Sequence, residues 1–269
     1  MKMDIENAKR IVVKVGTSTL THKGGRLNLR RVETLVKVLC DLSNSGKEII
    51  LVSSGAIGVG VGKLGLKHRP KENKDKQAVA AVGQCELMFI YDKFFGEYNH
   101  NVAQVLLTKF ALDTEFKKTN VMNTIDSLLD MGIIPIVNEN DTVAIDELEG
   151  ENIGDNDRLS AWVAEIVRAD LLILLTDIDG LYTTNPREDS NAVKLDVVEE
   201  ITDEIRTMAG GTGSSRGTGG MRTKIIAAEI ATAAGIDMCV MNGENPKRLY
   251  DLLEGKQIGT LFKAAGKRS

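Results

Sequence analysis

Six short apolar runs recur along the 269-residue chain, and their alternation with helical patterns constrains the fold more than any other feature. Each run is a continuous stretch of β-branched and aliphatic residues, as expected of parallel strands that are covered on both faces. The runs are 10–16, 48–54, 102–108, 133–140, 170–177 and 237–243. A regular β-α alternation predicts an α/β fold: a three-layer αβα sandwich around a mostly parallel open sheet.

Helical spacing of apolar residues fills several of the segments between these runs. Apolar residues recur at i, i+3, i+4 and i+7 around 32–39 and again around 159–167. Further helices are predicted over about 75–98 and 119–131. The lone tryptophan, Trp162, follows the apolar spacing and is therefore expected in the core. The block 193–201 could add an edge strand or a hairpin.

Composition and charge exclude several classes of protein. The net charge of −4 argues against a nucleic-acid surface, and no stretch approaches the 18 apolar residues of a membrane span. The three cysteines, Cys40, Cys85 and Cys239, are scattered, which is typical of small core residues in a reducing compartment. The N-terminal residues have no apolar core of a signal peptide. We therefore expect a cytoplasmic protein with no nucleic-acid and no membrane partner.

Glycine-rich segments with nearby lysines follow several of the predicted strands, where open α/β sheets bind their ligands. Lys14 precedes "GTSTL", a second run ends in "SSGAIGVG", and "GTGSSRGTGGMRTK" leads through Lys224 into the last long helix. Unpaired N–H groups at a helix start favour an anion, and glycine lets phosphate oxygens approach closely. Any one of these loops could be only a tight turn. Three of them together, with two lysines, indicate phosphate chemistry.

Two strings of acidic and amide residues are the second chemical signal. The strings "NEND" (138–141) and "GDND" (154–157) contain seven Asn, Asp or Glu residues, whereas helix capping needs only one. Clustered carboxylates repel one another unless a cation or polar ligand lies between them. Such a site could hold the ammonium group of an amino acid, or it could order lysines and Mg²⁺. Phosphoryl transfer needs mainly this kind of positioning and charge stabilisation.

Two other motifs carry less weight. The segment 60–65 matches G-x-G-x-x-G but lies inside a probable helix, which is not the strand-to-helix turn of a dinucleotide site. His22, His68 and His100 occur in polar contexts and are expected at the surface rather than in a metal site.

Motifs along nearly the whole chain resemble, in the same order, those of the glutamate 5-kinases of the amino acid kinase family. These motifs are "VVKVGTSTL", "LVSSGAIGVG", "IPIVNENDTV", "IGDNDRLSA", "LLTDIDGLYTTNPR", "GTGGMRTK" and "GTLF". The resemblance implies the amino acid kinase fold in a single domain over 1–269. Within it, about 1–165 would bind glutamate and form oligomers, and about 166–269 would bind ATP. The implied reaction is ATP- and Mg²⁺-dependent phosphorylation of the L-glutamate side-chain carboxylate to L-glutamyl 5-phosphate, the first step from glutamate to proline.

The resemblance also implies roles for individual residues. Lys14 and Lys224 would be catalytic cations over the transferred phosphoryl group, and Asp157 would organise both. The substrate-binding positions would be Ser54, Gly55, Ala56, Asp141, Asp155 and Asn156. The ATP-binding positions would be Lys14, Thr176, Asp177, Thr218, Gly219, Gly220, Met221, Arg222, Thr223 and Lys224. No side chain is assigned as a metal ligand.

Many members of this family continue after the "GTLF" motif into a PUA module, an RNA-binding-type fold. Here only "KAAGKRS" follows, so no PUA domain is expected. The acidic segment 144–152 looks long for the family and lies where substrate selection and inhibition by proline would act. L-proline is thus a candidate feedback inhibitor. A homodimer or homotetramer is implied, with the helix after Gly55 and the 75–98 helix as candidate interface elements.

Two alternatives remain open on the sequence. The same fold could phosphorylate another acceptor, such as acetylglutamate, aspartate, carbamate, UMP or isopentenyl phosphate. The chain could instead be a catalytically silent nucleotide-binding regulator. The presence of both Lys14 and Lys224 favours catalysis, because a sensor could bind ATP without two cations placed for the transition state.

Overall fold

An eight-stranded sheet forms the centre of the computed structural model, which describes residues 5–22, 26–143, 156–184, 186, 189–209 and 220–264. The strands are β1 (Arg10–Val15), β2 (Glu48–Ser53), β3 (Val102–Leu107), β4 (Ile134–Glu139), β5 (Leu171–Thr176), β6 (Leu181–Tyr182), β7 (Lys194–Leu195), β8 (Val197–Val198), β9 (Asp237–Asn242) and β10 (Thr260–Phe262). Their order in the large sheet is β3-β4-β2-β1-β5-β9-β10-β8, and β6 pairs with β7 separately.

The pairing is parallel from β3 to β9, and β10 is antiparallel to β9. All six strands predicted from the apolar runs are confirmed. Their continuous apolar character has a direct cause, because the central strands are buried on both faces. The block 193–201 supplies β7 of the small hairpin and β8 at the edge of the large sheet, as that pattern indicated.

Helices cover both faces of the sheet. They are α1 (Thr17–Leu20), α2 (Leu29–Asn44), α3 (Ala56–Leu64), α4 (Asn73–Glu97), α5 (Glu115–Asp130), α6 (Asn156–Ile166), α7 (Asp203–Ala209), α8 (Met221–Ala233) and α9 (Arg248–Leu253), with a 3₁₀ turn at Lys109–Leu112. One core cluster joins Val13 to residues of α2, α4 and α9. The other joins Val12 to residues of α5, α6 and α8. Alternate side chains of β1 thus enter opposite cores, which confirms the three-layer αβα sandwich.

Helices α3 and α4 approach each other unusually closely. A Cβ atom added at Gly60 would collide with the carbonyl oxygen of Val79, and one at Gly83 would collide with that of Ala56. Only glycine permits this backbone-to-backbone distance. Segment 60–65 lies in and just after α3, so its glycines serve helix packing and helix termination rather than a dinucleotide turn.

Two burial predictions need correction. Trp162 is only half-buried, and the Arg158 guanidinium lies over its ring, 5.3 Å from the centroid. Cys85 is exposed on α4, whereas Cys40 and Cys239 are buried as expected. Within the described ranges, no helix is both long and apolar enough to cross a membrane.

Candidate active site

A buried cluster of one carboxylate and two ammonium groups lies at the carboxyl end of β1. Asp157 Oδ1 lies 2.6 Å from Lys14 Nζ, and Asp157 Oδ2 lies 3.0 Å from Lys224 Nζ. The three residues are 7 % (Lys14), 1 % (Asp157) and 4 % (Lys224) exposed. Thr223 donates a further hydrogen bond to Asp157 Oδ2 at 3.1 Å. Three distant parts of the sequence therefore meet at one carboxylate.

The fold brings these three side chains together because each lies at the end of a strand or the start of a helix. Lys14 is the penultimate residue of β1, and residues Ile11 to Val15 of this strand pair with the central strand β5. Asp157 lies in the first turn of α6 and Lys224 in the first turn of α8. Both helices begin at the same edge of the sheet and pack on the same core cluster. The cluster follows from parallel topology, which gathers strand ends and helix starts at one edge.

Electrostatics keep Asp157 ionised. Burial by itself would raise the pKa of this carboxyl group, because the charged form loses hydration. The positive charges of Lys14 and Lys224, together with their hydrogen bonds, outweigh that effect and hold the pKa below its ordinary value. At neutral pH the centre therefore contains one carboxylate anion between the two lysine ammonium groups. Together the three groups favour the approach of an anion.

An amide cluster adjoins the charged centre. Asn156, which precedes Asp157, is buried, and its Nδ2 group lies 2.8 Å from the Ser53 carbonyl oxygen, 3.0 Å from Ser54 Oγ and 2.8 Å from Asn138 Oδ1. Two N–H bonds are shared among these three acceptors. The contacts tie the start of α6 to the ends of β2 and β4, so Ser54 and Asn156 are in direct contact.

Residues on α4 complete this cluster, and the motifs did not single them out. Gln84 Oε1 accepts a hydrogen bond of 2.7 Å from Asn138 Nδ2, and Tyr91 lies with its hydroxyl 2.9 Å from Ser53 Oγ. Asn138 belongs to the predicted "NEND" string but had no assigned role. Gln84 and Tyr91 lie within a long helix, where no loop or strand end marks them as polar contacts of the site.

Three helices begin beside the cluster after a glycine. The N-cap residues of α1, α3 and α8 are Gly16, Gly55 and Gly220, which have no side chain to accept hydrogen bonds from the first turn. Gly55 has φ +102°, a conformation that favours glycine, and it directly precedes Ala56, which is buried. Their N–H groups favour a bound anion at this edge.

The remaining sequence-predicted residues lie around this centre at different depths. Asp141 is half-buried in the turn after β4, and Thr176 ends β5 as a buried residue. Thr176 donates a hydrogen bond of 3.1 Å to the exposed Asp177. Both residues lie at the end of β5, which is the neighbour of the strand that carries Lys14. Met221 is half-buried and Arg222 is exposed in the first turn of α8. Asp155, Thr218 and Gly219 lie outside the described residues.

The described side chains do not form a metal-binding group. In residues 5–22, 26–143, 156–184, 186, 189–209 and 220–264, no group of three or more His, Cys, Asp or Glu residues is arranged to hold an ion. His22 and His68 are exposed, and His100 is half-buried beside Asn44.

Comparison with known proteins identifies the family of this chain. The family model described as "Amino acid kinase family" matches residues 9–242. A "Glutamate 5-kinase" of Clostridium perfringens is 59 % identical over 265 residues, covering 98 % of this chain and 98 % of that protein. A "Glutamate 5-kinase" of Listeria welshimeri is 57 % identical over 263 residues, covering 97 % and 95 %, and one of Clostridium acetobutylicum is 53 % identical over 258 residues, covering 96 % and 96 %.

Solved structures agree on the fold. The UMP kinase from Bacillus anthracis has a TM-score of 0.64 at 15 % identity, with 96 % of this chain and 97 % of that chain covered. The isopentenyl phosphate kinase of T. acidophilum has a TM-score of 0.63 at 18 % identity, with 95 % and 100 % covered. At such identities the likeness concerns the fold alone. Together with the family match, these findings show that the chain belongs to the amino acid kinase family, and within that family it groups with the glutamate 5-kinases.

Proposed function

We propose that this chain transfers the γ-phosphoryl group of ATP to the side-chain carboxylate of L-glutamate, giving ADP and L-glutamyl 5-phosphate, the first step from glutamate to proline. The observation that carries the proposal is the pair of lysines held on opposite oxygens of Asp157. The choice of glutamate as the acceptor rests on the relatives named "Glutamate 5-kinase", which are 53–59 % identical to this chain.

The proposed chemistry is a single displacement. An oxygen of the glutamate carboxylate forms a bond to the γ-phosphorus, and the bond from that phosphorus to the bridging oxygen breaks, with its electron pair leaving on ADP. The attacking carboxylate is already ionised at neutral pH, so no general base has to remove a proton. Lys14 and Lys224 would stabilise the charge on the transferred group, and Asp157 would hold both ammonium groups in place before the nucleotide binds.

The acceptor site would lie beside the amide cluster. Ser54, Asp141 and Asn156 offer hydroxyl, carboxylate and amide groups to the amino-acid end of glutamate, with Asp155 flanking it. The N–H groups after Gly55, including that of Ala56, favour a carboxylate at the start of α3. Direct contact between Asn156 and Ser54 supports one shared pocket for these residues.

The nucleotide would occupy the side of the sheet formed by β5 and β9. Thr176 and Asp177 lie at that edge, and the segment 218–224 would bind the phosphates, with the amide groups of Gly220, Met221 and Arg222 at the start of α8. We propose that Mg²⁺ is carried by the ATP phosphates. The described residues do not supply a carboxylate cage of their own, and this ion commonly binds through substrate phosphates and water.

We also propose a division of the chain, an oligomeric state, an inhibitor and a location. A glutamate-binding part over about 1–165 would contain Ser54, Asp141 and Asn156, and an ATP-binding part over about 166–269 would contain Thr176, Asp177 and Lys224. Lys14 would contact the nucleotide from the first part. A homodimer or homotetramer is proposed, with α3 and α4 as candidate interface elements; Phe89 on α4, which is 61 % exposed, would be buried in such an interface. L-proline is proposed as a candidate feedback inhibitor. Unpaired, scattered cysteines fit a cytoplasmic location.

The test is ATP- and Mg²⁺-dependent acyl-phosphate formation, trapped with hydroxylamine. Glutamate is compared with aspartate, acetylglutamate, carbamate, UMP and isopentenyl phosphate (ADP release replaces trapping for the last three), each with and without proline. Strong selectivity for glutamate is expected. Selectivity for another acceptor would leave the kinase assignment in place and show that the substrate assignment is wrong. Binding of ATP with no product from any acceptor would favour a nucleotide-binding regulator.

A further inference from the structure

We propose that Gln84, in the middle of α4, is a positioning residue for the acceptor amino acid. Gln84 would fix the orientation of the Asn138 amide, and Asn138 would fix that of Asn156 in the acceptor pocket. The inference rests on the proposed glutamate kinase function and extends it to a helix that carries none of the sequence motifs.

The first step is the contact between two amides. Gln84 presents its oxygen, Oε1, to Asn138 Nδ2 at 2.7 Å. Asn138 must then keep its own oxygen on the opposite side, where Oδ1 accepts from Asn156 Nδ2 at 2.8 Å and from the Glu139 amide at 2.9 Å. Asn138 is 2 % exposed, so water cannot replace these partners without a cost.

The second step is the effect on Asn156. Its Nδ2 group is directed toward Asn138, Ser53 and Ser54, which leaves its carbonyl oxygen at the other end of the planar amide, facing away from these three residues. If Asn138 were rotated by half a turn, its NH₂ group would face that of Asn156, which would lose one of its three acceptors and be held only by Ser53 and Ser54. A fixed carbonyl oxygen suits the ammonium group of an amino acid, whereas a fixed NH₂ group would repel it.

The third step is the rigidity of Gln84 itself. The adjacent Gly83 lies so close to α3 that an added Cβ would collide with the Ala56 carbonyl. Ala56 is the first residue of α3, at the proposed carboxylate-binding end of the pocket. Two turns further along α4, the fully buried Tyr91 contacts Ser53 at 2.9 Å. Helix α4 therefore holds Gln84 at a fixed distance from both ends of the amide cluster.

The test compares Gln84→Met, which keeps length and volume but removes the acceptor oxygen, with Glu86→Gln as a matched control. Glu86 lies on the same helix and pairs with Lys63 of α3, away from the amide cluster. For Gln84→Met we expect the KM for glutamate to rise about tenfold, with the KM for ATP little changed. Glu86→Gln should leave both KM values unchanged. Gln84→Glu, which retains an acceptor oxygen, should have a glutamate KM closer to wild type than Gln84→Met.

A double-mutant cycle separates positioning from direct contact. If Gln84 acts through Asn138, then Gln84→Met should add little to the glutamate KM of Asn138→Ala. Additive losses in the double variant would overturn the inference, as would an unchanged KM in Gln84→Met or an equal rise for both substrates with a lowered melting temperature. Wild-type protein that lacks glutamate-dependent turnover would refute the proposed function, whereas active wild type with unaffected Gln84→Met would refute only the role of Gln84.

Discussion

Asp157 Oδ1 lies 2.6 Å from Lys14 Nζ, and both side chains are almost completely buried. Removing two charges from water is costly, and a well-packed apolar pair of the same volume is often no less stable. Stability alone is therefore a poor explanation for this pair. Its position, where a strand end, two helix starts and a second lysine meet, fits a centre whose charges are used during phosphoryl transfer.

Replacing Lys224 with alanine should affect turnover far more than acceptor binding. The ammonium group would contact mainly the charge that develops on the transferred phosphoryl group, so we expect kcat to fall by about 10²–10³-fold. Steady-state kinetics and calorimetric titration with glutamate measure the two effects. Lys63→Ala, which removes an exposed lysine of α3, is the control and should retain turnover. Turnover close to wild type in Lys224→Ala would exclude this lysine from the mechanism.

Replacing Asp157 with asparagine should destabilise the protein, because Lys14 and Lys224 would face each other without a counter-ion. We expect a loss of about 3–5 kcal/mol in the free energy of unfolding at pH 7. Asp203→Asn is the control, since this exposed residue pairs with Arg206 at the surface, where solvent screens the charges, and we expect little or no loss of stability. Urea unfolding measures both, and similar small losses in the two variants would contradict the account of the buried centre.

The same carboxylate predicts a pH dependence. Its pKa is lower in the folded protein than the value of about 3.9 in an unfolded chain. The unfolded state therefore binds the proton more readily, and the stabilisation is present above about pH 4 and lost as the pH falls through the folded value. Urea unfolding between pH 6 and pH 3 should show a steeper loss of stability for wild type than for Asp157→Asn. Equal slopes would show that Asp157 is not shifted.

Asp141 and Asp177 should affect different substrates. Asp141 follows β4 on the acceptor side and Asp177 follows β5 on the nucleotide side, so their alanine variants form a matched pair. We expect Asp141→Ala to raise the KM for glutamate and Asp177→Ala to raise the KM for ATP, each by roughly tenfold or more. Full steady-state kinetics with both substrates would check this. An equal effect of Asp141→Ala on both KM values would remove Asp141 from the acceptor pocket.

Two glycines of α4 should respond oppositely to alanine. Gly83 has no room for a Cβ beside the Ala56 carbonyl, so Gly83→Ala should destabilise the protein by about 1–3 kcal/mol or more. Gly96 has open space around it, and Gly96→Ala should raise the stability by about 0.5–1 kcal/mol through helix propensity. Thermal and urea unfolding measure both. If Gly83→Ala were neutral, the close approach of α3 and α4 would not be a constraint.

The sequence could predict those parts of the molecule that depend on local pattern. All six long strands follow from continuous apolar runs, although only the central strands are buried on both faces and the edge strand β3 is largely half-buried. A strand end and two helix starts direct attention to Lys14, Asp157 and Lys224, and the fold places the two lysine Nζ atoms 2.6 and 3.0 Å from the carboxylate oxygens of Asp157. Their individual roles came from the resemblance to a family rather than from spacing.

Features that depend on tertiary contacts could not be predicted from local sequence patterns. Gln84 is one of several polar residues on α4, and only the packing of α4 beside β4 makes it the partner of Asn138. Cys85, its neighbour in sequence, points outward for the same geometric reason. Trp162 is half-buried with Arg158 over its ring, a tertiary arrangement that apolar spacing does not show.

The way in which the charged cluster is assembled also affects how the protein can be made. Lys14 is synthesised first of the three residues, Asp157 much later, and Lys224 last. While the chain is still growing on the ribosome, Asp157 has one of its two cations available and lacks the other until α8 has emerged and docked. A product released before Lys224 would thus leave the phosphoryl-transfer centre with a single ammonium group. Such long-range pairings also form slowly, so we expect the centre to be among the last parts of a new chain to mature.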